Sequence, residues 1–529
     1  MIKYLKNATV NSFLKDFLFL AIFCFLLYSS AIFIPFLQHD GYRYISTPIT
    51  QCKWLIMLGR PLAAIVEFLQ GVIITYSTNH YFLAAGILRG ILVLIMAFTA
   101  GIASQALRKI VNNKYLCLGI VCSIITLPGF IGFVATVNIS NIMAILFAGL
   151  SYIFLELCSE DRFGAGRKKL LFAAALISIY ISLLLYPILS FLFLIPTMLR
   201  IMNGIGRNEY KFLKFFFRDF VFLGINSLVA YAVFRLLFTV NIVGYDNSIK
   251  FMQVIDSLHK LFSSDYLMAA SLWNIYNSKM TAGFVLLLIA ALTVGIFIKI
   301  SAANKCRRLS IYINTFVRAG AVFAIFFVLN FHLILFKIIL VNRMFLNYSI
   351  FLLLIITVLA VKINRKFGVI IYLFAVAGSL SALYISSQNA LNAYTEFNYA
   401  AARLYHSYSR QTKGVHFIIS KTPDTGFNRL PSEGDSFNID TTSTGHVDIK
   451  KFSRALFMYL GLPLDLKYSF SYCGQLVRPR RDVTVINMND IVYRAPMTKR
   501  DTAYKTIPGI QTVWKKAFEP LDRKKITGK

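Results

Sequence analysis

The segment after the first apolar run carries residues that together could do acid–base and phosphate chemistry. They are His39, Asp40, Tyr42 and Arg43, followed by Arg60 in the sequence Gly-Arg-Pro-Leu. The acid stands out because only 23 of the 529 residues are Asp or Glu. A carboxylate can take a proton from a hydroxyl group, and the planar guanidinium of arginine suits phosphate. The alternative for this acid is a solvated loop position that ends a helix.

Further residues could share these tasks. Glu67 is a second carboxylate, with a position on the polar face of a surface helix as its alternative. Arg343, within Asn-Arg-Met-Phe-Leu, is another arginine near the end of an apolar run. Both Arg343 and Arg60 could instead hold their charges at the membrane interface while their stems stay in the apolar layer. Lys337 and His332 are weaker candidates.

The amino-acid composition indicates the kind of fold that holds these residues in place. The chain is 57% hydrophobic and 15% charged, with a mean hydropathy of +0.65, whereas soluble domains are about 45–50% apolar and about 25% charged. A polytopic α-helical membrane protein is therefore predicted. The net charge of +32 comes from basic clusters between apolar runs, a pattern of cytoplasmic loops that argues against nucleic acid as a partner. Because the seven cysteines form no CxxC pair and the seven histidines show no ligand spacing, no metal or cofactor is expected.

The apolar runs and basic clusters predict about eleven membrane crossings, with the N-terminus in the cytoplasm. Residues 17–37 form the first crossing, since their 21 positions make about 31 Å of helix. The predicted cytoplasmic segments hold 22 Lys and Arg, whereas the short external loops hold 8. Residues 61–76 resemble a surface helix, residues 116–157 two short helices that meet outside, and Tyr186-Pro187 a hinge.

Four charged residues lie within or beside apolar runs: Arg89, Glu156, Arg235 and Arg318. Such residues are functional candidates by default, because a charge is costly inside a bilayer. Glu156 and Arg318, however, lie within a turn or two of predicted cytoplasmic ends, so we expect their side chains to reach the interface.

Residues 388–529 are predicted to form a small extracytoplasmic α+β domain, separate from the membrane domain of residues 1–387. Their apolar content is low, with strand-like runs at 415–419 and 483–486 and a helical pattern over 452–460.

The loop of residues 39–43, together with the Gly-Arg-Pro-Leu sequence that opens an amphipathic helix, resembles the start of the serotype-converting O-antigen glucosyltransferases. These are GT-C membrane enzymes. The sequence around Arg343 is similar to that family's arginine-containing motif, and a half-helix ending at Tyr186-Pro187 fits its architecture. The resemblance covers about residues 1–387. Family members often carry a paired acid where this chain has His39-Asp40, which leaves the contribution of His39 open.

The resemblance implies transfer of glucose, or a related hexose, from a polyprenyl-phosphate donor to an O-antigen sugar of lipopolysaccharide. The reaction would take place at the periplasmic face of the bacterial inner membrane, within membrane lipids. The donor's leaving group is a phosphate, already a stable anion, so it needs cationic contacts rather than a general acid. Arg43, Arg60 and Arg343 are the expected ligands.

The acceptor is a sugar hydroxyl group, which is too weak an acid to attack unaided and requires a carboxylate base. Asp40 is the expected base and Glu67 the reserve. His39 and Tyr42 are expected to contact substrate. Two other functions remain open: a transporter or flippase of polyprenyl-linked glycans, and an O-antigen polymerase.

Overall fold

The computed structural model describes most of the membrane part and pieces of the C-terminal part. The described residues are 7–34, 48–76, 81–111, 113–160, 163–205, 210–238, 261, 279–303, 309–335, 345–409, 412–419, 452–453, 456–457, 460, 462, 466–472 and 482–487. The helices are α1 (Asn7–Leu27), α2 (Ser29–Phe33), α3 (Pro48–Met57), α4 (Pro61–Tyr76), α5 (Tyr81–Val111), α6 (Lys114–Ile125), α7 (Pro128–Ala135), α8 (Ile139–Cys158), α9 (Ala165–Leu185), α10 (Pro187–Ser190), α11 (Ile195–Asn203), α12 (Lys211–Phe238), α13 (Lys279–Ala303), α14 (Leu309–Leu329), α15 (Phe331–Leu335), α16 (Leu346–Ile363) and α17 (Val369–Ser407). The strands are β1 (Gly414–Ile419), β2 (Lys467–Tyr472) and β3 (Val483–Asn487).

Seven helices of the described part are long and apolar enough to cross a membrane. They are Tyr81–Arg108, Ile139–Cys158, Ala165–Leu185, Phe212–Val233, Leu309–Leu329, Leu346–Ile363 and Lys366–Ser387. Helices α6 and α7 pass the same test as a pair that bends by 58°. The chain is thus a polytopic α-helical membrane protein, as its composition predicts. The count of about eleven crossings stays a prediction, because the described residues supply seven, or eight with the bent pair.

Large apolar side chains cover the outward faces of the helices. Ile22, Leu287 and Phe316 are 62%, 71% and 79% exposed. In water such side chains would form an extensive apolar surface. Lipid tails are as apolar as these residues, so a bilayer solvates this surface without penalty.

Cationic residues gather at one end of the bundle, called the basic end below and marked by Arg200 and Arg218. Glu156 forms ion pairs with both of these arginines. Asp219, which is fully buried, accepts hydrogen bonds from Arg218 Nε at 2.7 Å and from the Thr197 hydroxyl group. Beyond the expectation that Glu156 reaches the interface, two guanidinium groups from other helices pair with its carboxylate, whose side chain is 16% exposed.

Arg318 differs from its expected role. Its side chain is 3% exposed, donates to Ile201 O at 3.1 Å and to Asn314 Oδ1 at 2.8 Å, and lies 4.1 Å from the centroid of the Phe212 ring. It does not extend to the interface. It joins α14 to α11 and α12, which stabilises the basic end.

The segment over 116–157 contains three helices, α6, α7 and α8, rather than the two that were expected. Between α7 and α8 the chain turns at Val137, whose φ of 59° is unusual for a β-branched residue. Arg89 donates to the last two carbonyl groups of α7, through Nε at 3.2 Å and Nη2 at 3.0 Å. Gln70 donates to Val137 O at 2.6 Å. Side chains from α5 and α4 therefore satisfy backbone groups that this break leaves open, as an apolar environment requires.

The C-terminal strands form one sheet of order β2-β1-β3, in which both pairings are parallel. The predicted strands at 415–419 and 483–486 are confirmed as β1 and β3. Strand β2 was not predicted. Within the predicted helical pattern at 452–460 the described residues are helical.

Helix α17 runs without a break through the predicted domain boundary at 387/388. A chain of edge-on aromatic contacts then links the sheet to the bundle. Phe417 on β1 lies 5.9 Å from Phe452, Phe452 lies 5.8 Å from Phe397 on α17, and Phe397 lies 5.1 Å from Phe82 at the start of α5. The sheet therefore packs at the end of the bundle opposite the basic end. A separate domain over 388–529 stays a prediction.

Candidate functional site

Gly59 and Pro61 explain why Arg60 has a fixed position. Gly59 has a φ of 78°, a left-handed conformation that glycine adopts readily. Its N–H donates to Ile56 O at 2.9 Å, and the N–H of Arg60 donates to Leu55 O at 2.9 Å. This is the Schellman motif, which ends α3. Pro61 then opens α4, where its fixed φ and missing N–H are tolerated. The Gly-Arg-Pro sequence thus joins two helices through one turn, with Arg60 at the junction.

Helix α4 directs its polar residues into the protein and its large apolar residues outwards. Glu67 and Gln70 are 8% and 2% exposed, whereas Ile65 and Leu69 are 56% and 54% exposed. An amphipathic helix on a membrane surface would direct its polar face to water. The alternative for Glu67, a solvated polar face, is therefore wrong. The outward face of α4 is the one suited to lipid.

Arg60 reaches the point where the chain breaks between α9 and α10. Its guanidinium carbon lies 4.0 Å from the centroid of the Tyr186 ring. Tyr186 is extended, with φ −155° and ψ 95°, because Pro187 disfavours helical geometry in the residue before it. The predicted hinge at Tyr186-Pro187 is confirmed. Within the described residues, the buried Nε of Arg60 has no hydrogen-bond partner and no carboxylate pairs with this arginine. A cation held on an aromatic face in this way is suited to bind an anion.

Two buried asparagines lie beside the same break. Asn347 donates to Ile188 O at 2.9 Å and to Leu329 O at 3.0 Å, and Asn330 bonds back to its own helix at 2.9 Å. The Oδ1 atoms of both asparagines are buried without a hydrogen-bond partner among the described residues. His332, one of the weaker candidates, is 1% exposed and follows Asn330 by two positions in the sequence. The end of the bundle that holds Arg60, Tyr186 and Asn347 is called the site end below.

Sequence reasoning did not select these asparagines. Asn347 begins the sequence Asn-Tyr-Ser, and neither it nor Asn330 belongs to the motifs described above. An available signal was the position of each amide within a long apolar run, where a polar side chain needs partners from other helices.

The structure describes two of the seven predicted site residues. Arg60 and Glu67 lie on one face of α4, about 10 Å apart along the helix axis. The other five lie outside the described residues, and their roles stay predictions: His39, Asp40, Tyr42, Arg43 and Arg343.

The carboxylate of Glu67 has an electrostatic effect on the thiol of Cys52, which lies on the neighbouring helix. The Sγ atom of Cys52, on α3, donates to Ala64 O on α4 at 3.4 Å. Burial raises the pKa of the Cys52 thiol, and the negative charge of Glu67 raises it further. The carboxylate of Glu67 is therefore close enough to α3 to act on it electrostatically. In the described ranges no group of three or more His, Cys, Asp or Glu residues could hold a metal ion.

Fold and site define the class of protein: a polytopic α-helical membrane protein with an arginine-bearing polar site at the end opposite its basic clusters. No protein-family model matches the chain, and comparisons with characterised proteins and with solved structures also give no significant match. The activity therefore has to follow from the chemistry of the site.

Proposed function

We propose that the protein is a glycosyltransferase that uses a polyprenyl-phosphate sugar as donor. It moves glucose, or a related hexose, to a hydroxyl group of an O-antigen sugar. The observation that carries the proposal is the Arg60 guanidinium, which stacks on Tyr186 at a break between helices and has no carboxylate partner among the described residues. A lipid-linked phosphate supplies the anion that this position lacks.

The donor needs an apolar surface and a cation side by side, and α4 offers both. The outward residues Ile65 and Leu69 are more than half exposed, which suits a polyprenyl chain lying in the bilayer. Arg60 immediately precedes the first residue of this helix. When the bond between the sugar and the phosphate breaks, the phosphate keeps the electron pair as a stable anion, so cationic donors replace a general acid. Arg43 and Arg343 are the further phosphate ligands in this proposal.

The acceptor hydroxyl group has to lose its proton to a base while it attacks the sugar. Asp40 is the proposed base, and Glu67 is the reserve, because it is a carboxylate buried on the same helix face as Arg60. His39 and Tyr42 would contact the sugars from the same loop. Asp40 precedes α3, and the α3–α4 junction is where Arg60 lies.

The resemblance to GT-C enzymes gives the proposed setting. The protein would cross the bacterial inner membrane about eleven times, with its N-terminus in the cytoplasm and residues 388–529 as a periplasmic domain. Two observations support this arrangement. Basic clusters gather at the end opposite Arg60, in keeping with a cytoplasmic location, and the C-terminal sheet packs at the site end through Phe397 and Phe82. The acceptor, lipopolysaccharide O-antigen or its lipid-linked precursor, would then approach beside the sheet.

The mass of O-antigen repeats tests the proposal. The repeats are compared between cells that express the gene, cells that do not, and cells that express an Arg60→Ala variant at equal abundance. A gain of one hexose per repeat that needs Arg60 is the expected result. A change of chain length alone would contradict the proposal in favour of a polymerase. Accumulation of lipid-linked repeats in the cytoplasmic leaflet when the gene is removed would contradict it in favour of a flippase.

A further inference from the structure

A groove opens at the basic end, far from the proposed active site, between α1, α6 and α17. It encloses about 530 Å³. Its walls are almost entirely apolar and are formed by Phe19, Phe23, Leu118, Ala375, Val376 and Leu380. Helices α6 and α17 approach closely at its floor, since a Cβ atom on Gly119 would lie 3.1 Å from Ile371 and 3.2 Å from Tyr372. The groove therefore has two closely packed helices at its floor.

Two lysines line the same groove, Lys15 on α1 and Lys114 at the start of α6, and both are exposed. Asp16 is 1% exposed and pairs with Arg108 as well as with Lys114, at 3.8 Å from Lys114 Nζ. Within the described part of the chain, Lys15 makes no hydrogen bond or ion pair. The lining of the groove thus carries two lysines and one carboxylate, and Arg108 also pairs with that carboxylate, so the groove keeps an excess of positive charge. Tyr115, 70% exposed beside Lys114, suits an interfacial position.

We propose that this groove binds an anionic phospholipid of the leaflet at the basic end. One acyl chain fills the space between α1 and α17, and the phosphate group lies against Lys15 and Lys114. Charge complementarity selects an anionic lipid, because basic pockets between transmembrane helices attract negatively charged head groups. The occupant differs from the sugar donor, since Arg60 is at the other end of the bundle. The inference is independent of the proposed enzymatic activity.

Native mass spectrometry of the full-length protein in detergent tests the proposal. The purified protein is titrated with dioleoylphosphatidylglycerol and, separately, with dioleoylphosphatidylcholine. The wild-type protein should prefer the anionic lipid. The double variant Lys15→Gln/Lys114→Gln should weaken binding of the anionic lipid by roughly 10- to 30-fold, since two cations near the head group are lost. Its binding of the zwitterionic lipid should not change.

Two further variants separate the groove from general surface charge. Lys169→Gln/Lys214→Gln removes the same charge from exposed positions that do not line the groove, and it should bind both lipids as the wild type does. Ala375→Phe fills the groove without changing charge and should lose both lipids, with an unchanged circular dichroism spectrum as evidence of folding. The proposal is overturned if the Lys15 and Lys114 variant keeps its preference, if the control variant loses as much, or if a folded Ala375→Phe variant binds both lipids normally.

Discussion

The two ends of the helix bundle differ in whether their buried charged side chains are paired with an opposite charge. At the basic end, Asp16, Glu156 and Asp219 each have an arginine partner. At the site end, Arg60 lies on a tyrosine ring, and no described carboxylate pairs with it. A cation that is partly withdrawn from water without a counter-ion costs free energy. Such a cost is typical of functional sites, where a ligand offsets it.

From this difference we expect the basic end to contribute mainly to stability and the site end mainly to activity. The paired carboxylates connect α1 to α5 and α8 to α11 and α12, so they hold the bundle together at the basic end. At the site end, the Oδ1 atoms of Asn330 and of Asn347 are buried without a hydrogen-bond partner among the described residues, so these atoms do not join helices. Substitutions at the basic end should therefore act mainly on stability, and substitutions at the site end mainly on sugar transfer.

The largest expected effect concerns membrane topology, because each end of the bundle lies on one side of the membrane or on the other. Reporter fusions after Asn304 and after Asn364 should lie in the cytoplasm, and a fusion after Gln388 should lie in the periplasm, as the basic clusters dictate. The measurement is the activity of a reporter that works in one compartment only. A cytoplasmic result after Gln388 would put the sheet and the site on the wrong side for an O-antigen acceptor.

The largest expected effect on activity is that of Asp40→Asn. The amide keeps the shape of the side chain but cannot accept a proton, and general-base catalysis is worth about 10²- to 10⁴-fold. Sugar transfer should fall by that factor, measured as hexose incorporated by equal amounts of inserted protein. Glu67→Gln is the matched control and should cost less. An inactive Glu67→Gln variant beside an active Asp40→Asn variant would assign the base to Glu67.

An intermediate effect is expected for Glu156→Gln at the basic end. Loss of the carboxylate leaves Arg200 without its counter-ion, and breaking a buried ion pair costs about 3–5 kcal/mol. Because the side chain of Glu156 is 16% exposed, we expect about 2–3 kcal/mol, measured by thermal unfolding in detergent.

The matched control for this variant is Asp482→Asn, which removes an exposed pair with Lys413 at 4.0 Å and should cost less than about 1 kcal/mol. Sugar transfer per folded molecule should stay unchanged in the Glu156→Gln variant. A stable Glu156→Gln variant with impaired transfer would reverse the roles that we assign to the two ends.

The smallest effect concerns pH and the C-terminal sheet. His416 on β1 lies 2.8 Å from the hydroxyl group of Ser469 on β2, and burial lowers the pKa of this histidine below 6.5. The folded sheet therefore binds a proton less readily than the unfolded chain. Its stability should be complete above the unfolded pKa and should decline as the pH falls through the lower folded pKa.

Hydrogen exchange of the β1 and β2 amides, compared at about pH 7 and about pH 5, measures this decline. His416→Gln should remove most of it. Protection that does not change with pH in the wild-type protein would show that His416 does not couple to the sheet.

Much of the fold could be predicted from the sequence, because the features concerned are local. Apolar runs of the length of a bilayer identify spans, proline marks the break at Tyr186, and short runs rich in β-branched residues mark β1 and β3. Strand β2 was not predicted, although its sequence Lys-Tyr-Ser-Phe-Ser-Tyr alternates polar and aromatic residues, a local pattern typical of a half-buried strand. A third helix over 116–157 was not predicted, and the carbonyl groups at the break before it are satisfied by Arg89 and Gln70, which come from other helices.

Of the candidate site, the position of Arg60 could be predicted from the sequence. The Gly-Arg-Pro sequence fixes Arg60 through bonds within its own turn, so the sequence alone could select it. The inward direction of Glu67 and the position of Asn347 depend on contacts between distant segments. The same holds for the partners of Glu156, which lie on α11 and α12. The local pattern can show that such a polar residue needs a partner, but it does not show which segment supplies that partner.

The central claim is that Arg60 at the site end binds the donor phosphate, whereas Arg200 at the basic end stabilises the fold. The most direct test replaces each of these arginines by alanine. Arg60→Ala and Arg200→Ala are purified as full-length proteins, and the rate of hexose transfer is measured against the concentration of polyprenyl-phosphate glucose. Arg60→Ala should lower kcat/KM for the donor by about 10- to 100-fold, the value of a hydrogen bond to a charged group. Arg60→Lys should recover part of it, since a point charge keeps the attraction but not the paired geometry. Arg200→Ala should lower the unfolding temperature while kcat/KM per folded molecule stays unchanged. An Arg60→Ala variant with normal kcat/KM, or an equal loss in folded Arg200→Ala, would contradict the account.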